Sequence, residues 1–204
     1  FRAYTIISCS PQLVLPFDSN DTTCSYDNDG SFTMNVDRNL NSNEQLVVLL
    51  LTESVPSSDN FDIIPFGGQK IATSLTPNNN GTFSYPWPEP LSSGRYIIKY
   101  QTQNLGDTTQ PPWDSLEESE IFTIGNPPPI TFSASKQNDV YCNGGSDAAI
   151  QLTASGGVGD FKYELNNSGT WVPFTTTTTH TITGLPKGTK TLKVQDGNRC
   201  TQKE

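Results

Sequence analysis

Proline and glycine occur so often in this chain that they argue against long helices. The 204 residues include 15 Pro and 16 Gly, and one or the other interrupts most windows of helical length. No stretch of eleven residues keeps apolar side chains at positions i, i+3, i+4 and i+7, the spacing of an amphipathic helix. The segments between the interruptions alternate in polarity and are rich in β-branched and aromatic residues, which is typical of strands. The sequence therefore predicts an all-β fold.

Eleven short segments fit the strand pattern, and turn-forming residues separate them. Such spacing is typical of β-sandwiches. The predicted strands are Leu13–Leu15, Ser31–Val36, Gln45–Leu51, Phe61–Ile64, Arg95–Gln101, Ile121–Ile124, Ile130–Ser133, Ala149–Ala154, Phe161–Leu165, His180–Ile182 and Thr189–Val194.

Charge and composition exclude several classes of protein. The 12 basic residues are outnumbered by 21 acidic ones, which argues against a nucleic-acid partner. The longest apolar run, Leu46–Leu51, is about a third of the length that a membrane span requires, so we expect no membrane insertion. Four cysteines without a Cys-x-x-Cys pair, and a single histidine, do not form a zinc pattern. An exported, disulfide-bonded chain is the simpler interpretation, with free thiols as the alternative.

The chain contains an internal repeat. Residues Tyr4–Val36 align without a gap on Phe122–Ala154, with seven identities at an offset of 118 that include Cys24 with Cys142. A second alignment places Leu91–Gln101 on residues 185–195 at an offset of 94. The two offsets differ by 24, so the first copy carries a 24-residue insertion between Asp37 and Glu89.

Two tandem modules follow from this alignment, joined at the proline-rich stretch Gly125–Pro129, which favours a stiff extended link. We expect a first β-sandwich in 8–126 and a second in 127–204.

The second copy carries motifs that resemble a known repeat family. Cys142–Asp147, the Gly-Gly-Val-Gly turn at 156–159, Gly184–Val194 and the closing Asp196–Cys200 resemble a SprB-type repeat. Such repeats form long arrays in large surface adhesins of gliding Bacteroidetes. The resemblance implies two tandem Ig-like β-sandwich modules on the cell surface, whose partners are neighbouring repeats and a surface polysaccharide or substratum. It is weaker in the first copy, where Gly106 stands at the position of the closing cysteine.

The register of the family implies an end strand of a preceding module in residues 1–7. It also implies that the last strand of the second module is truncated, as in a segment cut from a longer array.

The resemblance also implies a disulfide pattern. The family keeps a cysteine at both ends of the repeat, which implies a Cys142–Cys200 bridge. Cys9 is then left to pair with Cys24, although four cysteines allow three pairings.

Other candidate sites are weaker. Asp18, Asp21, Asp27 and Asp29 resemble a calcium loop, but Asx turns before a strand explain them as well. Without calcium, no cofactor is expected.

Aromatic residues near the insertion could stack on sugar rings. The candidates are Tyr85, Trp87 and Trp113, with Asn78, Asn79 and Asn80 as nearby acceptors. The alternative, which we favour, is that these rings fill the end of a thin core.

Thr22, Thr108 and Ser115 each follow an aspartate and precede a threonine or an apolar residue. This pattern resembles Bacteroidetes O-glycosylation sites.

No catalytic group can be assembled from the sequence. His180 is the only histidine and adjoins a threonine run, and no nucleophile elbow is present. We therefore expect no enzyme, but an adhesive or stalk segment that acts in surface attachment or gliding motility. The alternatives are a carbohydrate-binding module and an accessory domain of a secreted protein.

Overall fold

A computed structural model of the chain describes residues 10–63, 68–109 and 116–202. Their regular structure is all strand, and they contain no helix that could cross a membrane. The strands are β1 Asp18–Asn20, β2 Ser31–Val36, β3 Glu44–Glu53, β4 Phe61–Ile63, β5 Gln69–Ala72, β6 Thr76–Pro77, β7 Phe83–Pro86, β8 Gly94–Asn104, β9 Glu117–Glu118, β10 Phe122–Ile124, β11 Thr131–Asn138, β12 Ala148–Ser155, β13 Lys162–Leu165, β14 Trp171–Pro173, β15 Thr179–Leu185 and β16 Leu192–Gln195. The predicted all-β class is confirmed.

The chain divides into two units after Gly125. The first unit lies within Phe1–Thr22 and Asn28–Gly125, and the second comprises Thr23–Asp27 and Asn126–Glu204. The five residues Thr23–Asp27 were expected within the first β-sandwich, and in the structure they belong to the second unit. The expected strand at Tyr4–Ile7 lies outside the described residues.

The first unit has two antiparallel sheets that enclose one core. One sheet has the order β1-β2-β7-β6, and the other has the order β10-β8-β3-β4, with β5 on β3 and β9 on β8. Strand β2 alternates, so that Phe32, Met34 and Val36 are buried while the residues between them are half-exposed. These side chains pack with alternate residues of β3 and β8, including Leu50 and Ile98.

Strand β3 is buried on both of its faces. Leu46, Val48 and Leu50 face the main core, whereas Leu49 and Leu51 pack with Ile97 and with half-buried Phe61 and Leu116. Phe61 lies on β4, in the region of the insertion. A second apolar cluster therefore explains why this strand is a continuous apolar run instead of an alternating one.

The second unit has two three-stranded antiparallel sheets, with the orders β11-β12-β15 and β14-β13-β16. Leu152, Tyr163, Ile182 and Val194 come from both sheets and form its core. Pairings of the first unit recur here at the offsets of the sequence repeat. Asn20 pairs with Ser31 and Asn138 with Ala149, both shifted by 118. The bridge between Gly30 and Leu91 recurs as the pair Ala148 and Leu185.

Core truncations should act on one unit at a time. Met34 and Leu152 occupy equivalent positions and are fully buried in separate cores. We predict that Met34→Ala and Leu152→Ala each lower the free energy of unfolding of their own unit by about 2–5 kcal/mol. Differential scanning calorimetry should show one transition shifted in each variant. Val172→Ala on the exposed surface is the control, and an equal shift of both transitions in either core variant would contradict two separate cores.

Candidate functional site

A disulfide lies in the core of the second unit and joins two residues that are far apart in the sequence. Cys24 and Cys200 are bonded across 176 residues, and both side chains are buried among the core residues of this unit. Their neighbours hold the same segment in place. The Asn198 side-chain amide donates to the Thr23 carbonyl at 3.2 Å, and the Thr201 amide donates to the Tyr26 hydroxyl at 3.2 Å.

A buried aspartate shapes the turn that carries Cys200. Asp196 is 1% exposed. Its Oδ1 accepts the amide of Cys200 at 2.9 Å, and its Oδ2 accepts the amide of Val158 at 3.0 Å. Both carboxylate oxygens are therefore hydrogen-bonded to backbone, which offsets the cost of burying the charge. This role of Asp196 was not predicted, although the residue opens the closing motif.

Two glycines allow the backbone to approach this turn. Gly156 and Gly157 both have positive φ. A β-carbon at Gly156 would overlap the carbonyl of Pro129, and one at Gly157 would overlap the Asp196 carboxylate. Close packing against Pro129 and Asp196 thus requires glycine at the first two positions of the Gly-Gly-Val-Gly motif.

The predicted disulfide pairing is wrong. Cys24 bonds to Cys200, which excludes both a Cys142–Cys200 and a Cys9–Cys24 bridge. The prediction assumed that both cysteines of a bridge belong to the same copy of the repeat. In the structure the opening cysteine of the first copy lies in a segment of the second unit, so its partner is the closing cysteine of the second copy. Cys9 itself lies outside the described residues.

Cys142 is an exposed free thiol. It lies in a turn with the same hydrogen bond as the turn of Cys24. The amide of Gly145 donates to the Cys142 carbonyl at 2.9 Å, as the amide of Asp27 donates to the Cys24 carbonyl at 3.1 Å. Next to Cys142, the Tyr141 ring is 84% exposed. The repeat therefore preserves the turn but not the burial of its cysteine.

The bridge should contribute substantially to stability. We predict that Cys200→Ser lowers the free energy of unfolding of the second unit by about 2–5 kcal/mol, because it releases a long loop in the unfolded chain and leaves a gap in the core. Cys142→Ser is the matched control and should change it by less than about 0.5 kcal/mol, since the thiol is exposed. Denaturant unfolding under non-reducing conditions measures both, and equal effects of the two variants would contradict the assignment.

The aromatic residues predicted as sugar contacts do not form an exposed platform. Trp87 is 6% exposed and stacks on Phe32 at a centroid distance of 5.8 Å. Tyr85 is half-buried against the same core, and this burial raises the pKa of its phenol. Trp113 lies outside the described residues. Where the structure describes these rings, they fill the core, as the favoured interpretation expected.

The predicted acceptor Asn78 is engaged within the protein. Its side-chain amide donates to Asn35 Oδ1 at 3.2 Å and to Thr82 Oγ1 at 2.9 Å. Asn35 in turn donates to Asp18 Oδ2 at 2.7 Å. These groups form a polar network in a groove beside β1, β2 and β7.

The four aspartates predicted as calcium ligands do not converge on one site. Asp18 accepts from Asn35, and Asp21 Oδ1 accepts the Gly125 amide at 2.6 Å. Asp27 belongs to the second unit, whereas Asp29 is exposed in the first. Within the described residues, no three acidic, histidine or cysteine side chains come together as a metal-binding group.

The three O-glycosylation candidates differ in exposure. Thr22 is 3% exposed, so its hydroxyl is not available on the surface of the folded chain, and this candidate is wrong for a folded substrate. Thr108 is exposed. In the same turn the Thr109 amide donates to Asp107 Oδ1, and this hydrogen bond lowers the pKa of the Asp107 carboxyl. Ser115 lies outside the described residues.

His180 packs as a structural residue on β15. Its ring lies 4.8 Å from that of Tyr163 and 5.8 Å from that of Phe174. Its Nδ1 accepts the Thr175 amide at 3.2 Å, which requires that nitrogen to be unprotonated. Partial burial lowers the pKa of His180 below its ordinary value of 6.5.

The pKa of His180 should make the second unit less stable in acid. The unfolded chain binds a proton near pH 6.5, whereas the folded unit binds it only at lower pH, so stability falls as the pH drops between the two values. As His180 is the only histidine, its imidazole NMR signals can be titrated without assignment. The folded midpoint should lie below that of the urea-unfolded chain, and an equal or higher midpoint would contradict the burial.

Comparison with known families identifies part of the second unit. Residues 134–170 match the SprB repeat family. The match begins in β11, includes the Cys142 turn and the glycine motif, and ends between β13 and β14. A comparison with curated proteins gave no match.

Proposed function

Because the second unit contains a SprB-type repeat, a kind of repeat that implies a cell-surface protein, we propose that the chain is a non-catalytic, load-bearing segment of a surface adhesin. It would act in surface attachment or gliding motility and connect neighbouring repeats of one long molecule. The observation that carries this proposal is the Cys24–Cys200 disulfide, which closes a loop over most of the chain.

The position of the disulfide favours a mechanical role. Tension that enters before Cys24 and leaves after Cys200 passes through the covalent sulfur–sulfur bond. The residues between the two cysteines, which include strands β2 to β16, then carry no end-to-end load. A non-covalent sandwich unfolds under tension, whereas a covalent loop keeps its length while the bond remains intact. Such a segment suits a filament that resists shear, and it needs no catalytic site.

The buried surroundings of the bridge support the same role. Both cysteines are less than a tenth exposed, so a reductant in solution has little access to the sulfurs. Asp196 and the tyrosine hydroxyl of Tyr26 hold the backbone beside Cys200. The oxidised state of this bond is thus protected in the folded unit.

Single-molecule force spectroscopy tests the proposal. With the chain attached at its two ends, the oxidised form should show no extension from the loop between Cys24 and Cys200, which are separated by 176 positions. Cys200→Ser should release this loop on unfolding, a gain of roughly 600 Å at about 3.4 Å per residue. Cys142→Ser keeps the bridge and should behave as the oxidised parent chain.

Two results would contradict the proposal. Long unfolding steps in the oxidised parent chain would place the load on the sheets. On cells that carry the protein, Cys200→Ser should reduce retention on a surface under flow relative to Cys142→Ser, and equal retention of the two variants would also contradict it.

A further inference from the structure

Strand β10 completes the first unit by filling a groove between its two sheets. It pairs with the start of β8, with Phe122 opposite Tyr96 and Ile124 opposite Gly94. The side chain of Ile124 is 1% exposed and lies against Gly30, which leaves no room for a β-carbon there.

The aromatic ring of Phe122 and the backbone that follows β10 also make contacts with the first unit. The Phe122 ring lies 4.8 Å from that of Phe32. After the strand, the Gly125 amide donates to Asp21 Oδ1 at 2.6 Å, and the Thr22 amide donates to the Gly125 carbonyl at 3.0 Å. An extended segment of the pattern aromatic-Thr-Ile is therefore bound through side chains and backbone.

The second unit has a groove of about 320 Å³ at the equivalent place. The repeat offsets of 118 and 94 relate its lining to the residues that surround β10. The lining residues Asp139, Val140, Ala148, Ile150, Gly188 and Lys190 stand at the positions of Asp21, Thr22, Gly30, Phe32, Gly94 and Tyr96. We call this the strand-acceptor groove.

The strand-acceptor groove is open where the first unit is filled. Ile98 is fully buried beside β10, whereas its equivalent Leu192 is only half-buried. Likewise, Phe32 is buried and its equivalent Ile150 is half-exposed. Among the described residues, no strand pairs with residues 188–190.

We propose that the strand-acceptor groove binds the Tyr4–Ile7 segment of a second copy of this chain as an added β-strand. The internal repeat places Tyr4, Thr5 and Ile6 on Phe122, Thr123 and Ile124, the residues of β10. The segment therefore has the side-chain pattern that the equivalent groove accepts. Addition of an extended segment to a sheet edge is an established mode of peptide recognition, in which main-chain hydrogen bonds give affinity and side-chain pockets give specificity.

The differences between the two grooves are compatible with this ligand. Ala148 has a β-carbon at the position of Gly30, so the Ile6 side chain cannot lie there as Ile124 does. Ile150 is smaller than Phe32, and we expect the Ile6 side chain to shift toward Ile150. Lys190 replaces the Tyr96 ring and offers an ammonium group to the face of an aromatic ring such as that of Tyr4.

Asp139 lines the strand-acceptor groove together with Lys136, whose Nζ its carboxylate binds at 2.9 and 3.0 Å. Both side chains are exposed, and we expect them to turn toward solvent when Ile7 binds, since Ile7 stands in the repeat where the first unit has Gly125.

The association is expected to be weak and head-to-tail. A strand of three or four residues buries far less than a standard protein interface, so we expect a Kd of about 10–1000 μM. The donor segment and the groove are different surfaces, and such heterologous contacts can propagate from copy to copy. This inference rests on the groove and not on the proposed load-bearing function, so each can fail without the other.

Sedimentation of the full chain tests the proposal. The weight-average mass should rise with concentration up to about 1 mM. Ile6→Asp should weaken the association at least tenfold, because it places a charge where Ile124 is buried in the first unit. Thr5→Asp is the matched control, since the equivalent Thr123 is exposed, and it should change the association less than about threefold. A chain that stays monomeric, or equal effects of the two variants, would overturn the proposal.

NMR locates the contact. A peptide of residues 1–10 with Cys9→Ser, added to the full chain, should shift the amides of Thr189, Lys190 and Ile150, and the Ile6→Asp peptide should not. Shifts confined to another surface would overturn the proposal. Protection of the same amides in the dilute monomer would also overturn it, because the chain would then fill the groove with its own segment.

Discussion

The disulfide between Cys24 and Cys200 is the constraint on which the second unit depends. Its core includes both cysteines and the ring of Tyr26, and two of these three residues precede most of the first unit in the sequence. The closing turn at Asp196 is built around the same bond, since the buried carboxylate accepts the Cys200 amide. The second unit must therefore bring together residues that lie more than 170 positions apart. Such closure is costly in chain entropy, and it predicts slow formation of this contact during folding.

The strands that could be predicted are those whose pattern is set by burial. Strand β2 alternates because one face meets the core, and β3 is a continuous apolar run because the insertion covers its second face. The strands that were missed lack such a pattern. Strand β1 is Asp-Ser-Asn with all three residues exposed, and β7 ends at a proline. They are strands because adjacent strands of the sheet supply hydrogen bonds. A short stretch of sequence does not show which strands those will be.

The candidate site was harder to predict than the fold for a related reason. The internal repeat located equivalent residues, but it did not reveal that the loop after β1 belongs to the second unit. Pairing cysteines within the same copy of the repeat therefore predicted the wrong disulfide. Asp196 was missed because an aspartate in a glycine-rich turn is usually exposed, and only the fold reveals that it is buried. Trp87 and Tyr85 could be assigned to the core because thin sandwiches need large residues, although composition alone also allowed a sugar-binding surface.

The disulfide joins Cys200 to Thr23–Asp27, a segment that interrupts the first unit in sequence but belongs to the second unit. The measurement that tests this account most directly is disulfide mapping of the native chain. Free thiols are blocked, and the unfolded chain is then cut before aspartates and after basic residues, which separates all four cysteines. The account predicts a linked pair of peptides, residues 21–26 with residues 200–203, and a blocked thiol at Cys142. A link from Cys200 to Cys142, or from Cys24 to Cys9, would contradict it.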